Sequence, residues 1–309
     1  MKYSYKYVKA SSVLVAILLL SGCGGGGGSS ASITQTTFTD WSSIVKPTQV
    51  NLEGNSTDVS YTTNVEYRIN SLTSKGDDTT ATASVNFRTD DTISKVQFNT
   101  QNGTVTFDEE SVDTIGNSGT VVYGYNQAGS NFFLASNPLN SDNNWNYQTF
   151  GIWETGRSTG AGTAGGISAG STTLGSSIPT SGSATYNGRF GGVMSSQTGR
   201  DYLSKGDVTV GVDFAARTLA FNTSLSQFMT PIADTPTWHY GNSFDIRPAT
   251  LTYTLGTNSF TGSVYDGNTL TGTATGRFYG PNAEELGGIY YLSDSSNFGM
   301  HAGAFGAKR

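Results

Sequence analysis

Toward its C-terminal end the chain alternates, residue by residue, between side chains that avoid water and side chains that seek it. Phe260, Gly262 and Val264 fall on one side of a two-residue period, and Thr261, Ser263 and Tyr265 on the other. That is the pattern of an extended strand whose two faces meet different surroundings. Asp266-Gly267-Asn268 follows, and these residue types tolerate the backbone angles of a tight reversal. The return strand places Leu270, Gly272, Ala274, Gly276 and Phe278 on one face, with Thr269, Thr271, Thr273, Thr275 and Arg277 on the other. The threonine side predicts a solvated outer surface. The other side mixes Gly and Ala with large residues, which predicts the interior of a small barrel, where tapering space admits only some bulky groups. A second hairpin is expected to join Val208, Val210, Val212 and Phe214 to Leu219 and Phe221 across Ala215-Ala216.

The same rhythm runs through the earlier part of the chain with more charge. Val59, Tyr61, the stretch from Val65 to Ile69, Ala83 to Arg88, and Val96 to Phe98 read as strands of a separate, smaller β domain. From about Pro47 onward turn residues recur at roughly the 8–12-residue spacing of short antiparallel strands, and long windows with helical spacing are missing. The class predicted is all-β. The segment from Gly156 to Ser177 is nearly all Gly, Ser, Thr and Ala, and is expected to be a long mobile loop inside or just before the barrel.

The N-terminus has a different pattern. Lys2, Lys6 and Lys9 precede an apolar run from Val13 to Leu20, far shorter than the ~20 residues a membrane-spanning helix needs. It reads as a signal peptide. Leu20-Ser21-Gly22-Cys23 resembles the lipobox of bacterial lipoproteins, which implies that Cys23 is acylated, with palmitate among its lipids, and becomes the mature N-terminus. Cys23 is the single cysteine, so neither a disulfide nor a cysteine-based metal site is available. Gly24 to Gly28, then Ser29, Ser30 and Ala31, can bury nothing and read as a flexible tether. The expected organisation is a signal peptide at 1–22, a tether at 23–46, a first β domain at 47–145 and a barrel domain at 146–309.

Charge removes one class of partner. With the signal peptide gone, 14 Lys and Arg face 23 Asp and Glu, a net −9, and no basic block follows. Nucleic acid is not expected on such a surface. Enzymatic constellations are missing too: there is no Gly-rich phosphate loop between a strand and a helix. Two histidines, His239 and His301, cannot make a three-histidine metal site. His239, within Thr237-Trp238-His239-Tyr240-Gly241, reads either as an axial haem ligand flanked by Trp238 and Tyr240 or as a loop histidine beside aromatics that cap the barrel. His301 reads as structural.

The most specific stretch is Gly276-Arg277-Phe278-Tyr279-Gly280-Pro281-Asn282-Ala283-Glu284-Glu285-Leu286-Gly287-Gly288. It predicts strand, turn, one helical turn over Ala283 to Leu286 with Gly287 as its left-handed exit, then strand. Glu284 and Glu285 read as a solvated loop tip rather than a catalytic pair. The segment resembles the barrel signature of the transferrin-binding protein B family, with Gly280, Pro281, Asn282, Ala283, Glu284, Leu286, Gly287 and Gly288 as motif positions. Tyr147 to Trp153 resembles that family's entry to the barrel, Ile178 to Gly188 its first long barrel strand, and Val212-Asp213-Phe214 and Phe305 to Arg309 also match. The resemblance implies a β handle domain followed by an eight-stranded antiparallel barrel, in a single-lobe member lipid-anchored at the outer-membrane surface. It implies a monomeric, non-enzymatic binding protein for a host protein or haem, serving iron acquisition, with no other cofactor. The alternative is a structural or adhesive surface lipoprotein without a small ligand.

Overall fold

The computed structural model describes residues 32–34, 40–110, 112, 114–126, 131–229, 237–294 and 298–309. The expected signal peptide at 1–22, Cys23 and the Gly24 to Gly28 run lie outside the described residues. The N-terminal strands are β1 (Ser32–Thr34), β2 (Thr48–Thr63), β3 (Ile69–Asp78), β4 (Thr82–Phe87), β5 (Ile93–Thr100), β6 (Gly103–Asp108), β7 (Thr114–Ser118), β8 (Val121–Tyr125), β9 (Phe132–Ser136), β10 (Gln148–Thr155) and β11 (Ala161–Gly170). They form one eleven-stranded sheet, with the order β6-β5-β4-β2-β11-β10-β9-β8-β7 and with β1 and β3 also paired to β2. The sheet curls into a half-barrel around Val50, Leu52, Val85, Phe87, Phe98, Phe107, Phe133 and Trp153. Its remaining cavity, about 30 Å³ between residues such as Leu52, Phe98 and Ile167, is apolar.

The second sheet comprises β12 (Ser183–Ser195), β13 (Asp201–Asp213), β14 (Thr218–Met229), β15 (His239–Tyr240), β16 (Ala249–Tyr253), β17 (Ser259–Tyr265), β18 (Thr271–Tyr279), β19 (Glu285–Ser293) and β20 (Met300–Lys308). All but β15 join in the order β13-β12-β20-β19-β18-β17-β16-β14, and pairing of β13 with β14 closes the ring. The result is an eight-stranded antiparallel barrel, as the resemblance implied. Both hairpins read from the alternation are present, with Val212 opposite Leu219 and Phe260 opposite Gly276. The interior is solid: Tyr186, Phe190, Val210, Phe214, Phe221, Phe260, Phe278 and Phe305 fill it. Glycines give these rings their room. A Cβ on Gly276 would stand 2.4 Å from the Phe260 ring, and one on Gly206 2.5 Å from that of Phe190.

Several expectations require correction. Gly156 to Ser177 is no long loop, because Ala161–Gly170 is strand β11, bonded on one side to β10 and on the other to β2. Its small side chains serve close packing: a Cβ on Gly166 would lie 2.5 Å from the backbone of Gly303 in the barrel. With β10 and β11 in the first sheet, the division between sheets falls after Gly170 and not at 145/146, and Tyr147 to Trp153 leads into the handle sheet. The first domain, with eleven strands, is not the smaller one. Nor does the tether run to residue 46. Trp41 is buried in the handle core and its Nε1 donates to the Gln148 carbonyl at 3.1 Å. Val65 to Arg68 is a turn rather than a strand, with Val65 95 % exposed. The outer threonines of β18 are not all solvated either, since Thr275 and Thr273 donate to Asp77 of the handle at 2.9 and 3.3 Å.

Candidate functional site

The signature stretch turns out to be the joint between the two bodies. Tyr279 ends β18 with its hydroxyl 3.1 Å from that of Ser168 in the handle. Gly280 takes φ +87° and Ala283 φ +59°, so the connection is a compact turn with two left-handed residues; the expected helical turn is absent and Gly287 lies inside β19. The Tyr186 hydroxyl donates to the Ala283 carbonyl at 2.5 Å and pins the unusual conformation. Glu284 accepts from the Asn282 backbone N–H and side-chain amide, both at 2.8 Å.

Glu285 is fully buried, which overturns the solvated reading of this carboxylate. It accepts backbone N–H bonds from Asn146, Tyr147 and Gln148 at 2.7, 3.1 and 3.1 Å, where the handle chain enters β10. Burial pushes its pKa up to about 7, against the opposing pull of those N–H groups and of Lys308, whose Nζ is 4.0 Å away. Gln148 completes the joint by donating to the carbonyls of Leu286 and Ala307 at 2.9 and 3.1 Å. A Cβ on Gly287 would collide with Gln148 and Ser168, so the glycine lets the handle approach.

Aromatic side chains gather at the opposite end of the barrel, in the connection between β14 and β16. His239 pairs with Phe228 through the two-residue strand β15, and its ring lies 5.7 Å from that of Phe228. Phe228 also meets Tyr202 at 5.6 Å and Phe244 at 5.5 Å, both edge-on. Next to this group the Lys205 ammonium sits 4.1 Å over the Trp238 ring, a cation–π contact. Tyr240 is 72 % exposed and Tyr265 48 %. The neighbouring turns are tied together, with Gly267 N–H on the Ser243 carbonyl at 3.1 Å and Arg247 N–H on that of Tyr265 at 2.9 Å. The handle reaches the same end: Ile69 N–H donates to the Gly199 carbonyl at 2.9 Å, and the turn just before it exposes Val65 and Tyr67. Histidine 239 is itself exposed and borders neither the handle cavity nor the cleft at the joint.

Within the barrel, His301 is buried with its Nε2 2.8 Å from both the Ser204 Oγ and the Tyr290 hydroxyl. Desolvation drives its pKa down to about 3. A serine beside a histidine invites comparison with an activated nucleophile. Here Nδ1 has no partner, so no third group orients the ring, and Ser204 is only 2 % exposed. The arrangement is a polar pin in the core. Its members come from three different strands, and no short sequence pattern announces them. Among the described residues no group of three or more His, Cys, Asp or Glu is placed to hold a metal ion.

No curated protein matches the chain. Among solved structures, a Trp-to-Ala variant of transferrin binding protein B from Haemophilus parasuis is 15 % identical, with a TM-score of 0.43, over 74 % of this chain and 51 % of that one. A Phe-to-Ala variant of transferrin binding protein B from Actinobacillus pleuropneumoniae is 14 % identical, with a TM-score of 0.43, over 83 % of this chain and 99 % of that one. The isotype 1 protein from Neisseria meningitidis is 13 % identical at a TM-score of 0.40, over 89 % and 78 %. The chain thus spans about half the length of the first of these. Residues 178–309 match the family model described as the C-lobe and N-lobe beta barrels of Tf-binding protein B. The match covers the whole of the closed eight-stranded ring, and that ring is similar to the beta barrels of Tf-binding protein B.

Proposed function

We propose that this protein is a lipoprotein of the outer-membrane surface that captures a host macromolecule through the barrel end bearing Trp238, His239 and Tyr240. The observation that carries the reading is the concentration of partly exposed aromatics there, since binding hot spots are enriched in Trp and Tyr. Uniformly polar loops would instead favour a structural or adhesive lipoprotein. The mature surface charge of −9 suits a partner with a basic patch, because complementary potentials steer encounter. Haem is the second reading, supported by the exposure of His239 between two aromatics.

The test is capture from serum and on haem-agarose by the protein carrying its own Trp238 and Tyr240, set against Trp238→Ala and Tyr240→Ala. A macromolecular ligand retained by the parent and lost by both variants supports the reading. Equal retention by all three removes this end from the site. A Soret shift abolished by His239→Ala and kept by His301→Ala would make haem the ligand.

A further inference from the structure

Strand β1 lies on β2 in parallel, with Ser32 opposite Gln49, Ile33 opposite Val50 and Thr34 opposite Asn51. It takes the edge of β2 that β11 leaves free, because β11 first engages β2 at Glu53. The parallel direction places Ser32 toward the start of β2. The handle connections at that end are those after β4, after β6 and before β10, as the antiparallel registers of Thr48 with Phe87 and of Lys95 with Asp108 require. The barrel turns meeting this end are those of the joint: Glu285 on the N–H groups of Asn146 to Gln148, and Gly175 packed against Gly256. The aromatic connection, Gly199 and the turn before Ile69 lie at the other end of the strands.

We propose that β1 fixes the way the molecule stands on its bilayer: the joint end faces the lipid surface and the aromatic end faces away. This rests on the reading of Cys23 as the acylated residue. Counted from Cys23, residues 24–31 reach at most about 30 Å to Ser32 when fully extended. Without β1 the first fixed point would be Trp41, and residues 24–40 would reach roughly 60 Å, enough to let either end approach the bilayer. The sixteen residues of β2 span roughly 50 Å at strand rise. The pairing therefore keeps the leash shorter than the body, and holds it at one end.

The test uses the acylated full-length mature protein on liposomes containing an acceptor-labelled headgroup. Since Cys23 is consumed by lipid, a donor dye is placed on a single introduced cysteine, either Asp142→Cys at the joint end or Glu66→Cys at the aromatic end; both residues are exposed. Energy transfer should be several-fold stronger from position 142 than from 66. Adding Ile33→Pro, which puts a residue with no backbone N–H and a fixed φ in the middle of β1, should bring the two efficiencies together. Equal or reversed efficiencies in the parent overturn the orientation. A difference that survives Ile33→Pro overturns the role of β1. Failure to load onto liposomes at all overturns the acylation reading and this orientation with it, and leaves the aromatic site to be judged by serum capture alone.

Discussion

Two buried ionisable groups, one at the joint and one in the barrel core, should give this protein opposed pH dependences that hide each other. Glu285 has its pKa raised from an ordinary 4.5 to about 7. The folded state therefore holds a proton that the unfolded chain has released, and its contribution is complete below pH 4.5 and lost as pH rises through 7. His301 has its pKa lowered from 6.5 to about 3. Its contribution is complete above pH 6.5 and is lost as pH falls toward 3. At 1.36 kcal/mol per pKa unit, the Glu285 effect is on the order of 3 kcal/mol and that of His301 about 5 kcal/mol. Between pH 4.5 and 6.5 both operate with opposite signs, so this pair adds little net slope to the parent. Glu285→Gln imitates the neutral acid and should remove the falling component, giving a stability that rises with pH by about 1.4 kcal/mol per unit relative to the parent. His301→Asn should do the reverse over the same window. The assay is urea unfolding of residues 24–309, expressed without the signal peptide and Cys23, at half-unit pH steps, read as the difference from the parent. A Glu285→Gln curve parallel to the parent would show that the N–H cradle keeps Glu285 ionised and that burial does not govern it.

Lipidation should be lost in Cys23→Ala, which is expected to stay unprocessed; labelled palmitate still incorporated into that variant would reassign the anchor. Circular dichroism of residues 40–309 should show mostly β structure, and a helix content near the globular average of about a third would contradict the fold. Gly287→Val should loosen the joint, costing about 1–3 kcal/mol as overpacking does; a calorimetric melt unchanged from the parent would deny the close contact with Gln148 and Ser168. Protease added to intact cells should remove the folded part, and full protection would place it in the periplasm.

The alternation of Phe260 to Phe278 made the barrel legible, because a half-buried strand writes its two environments into the sequence with period two. The handle was harder. Strand β11, Ala161–Gly170, is small at every position but Ile167, with the barrel backbone against Gly166 and Trp153 against Gly165, and such a strand reads as loop chemistry. Trp41 looked like part of a linker because the carbonyl that receives its Nε1, that of Gln148, lies more than a hundred residues away. Glu285 looked solvated for a related reason: the amides that receive it belong to the far side of a domain boundary. The Ser204–His301–Tyr290 pin was concealed because Ser204 lies 97 residues from His301, whereas the Trp238-His239-Tyr240 run was visible as composition even though the contact of His239 with Phe228 was not.

A ring of eight strands with a filled interior asks little of most residues in its hairpin ends, Ile246 in the β14–β16 connection and Leu270 after β17 being buried exceptions. Lengthening a connection there costs only loop-closure entropy, about 0.6 kcal/mol for each doubling. The β14–β16 connection can therefore acquire, lose or exchange residues while Phe221, Phe260 and Phe305 stay packed. Partner choice on such a frame is cheap to rewrite. A recipient epitope grafted between Phe228 and Phe244 should be carried without refolding the protein.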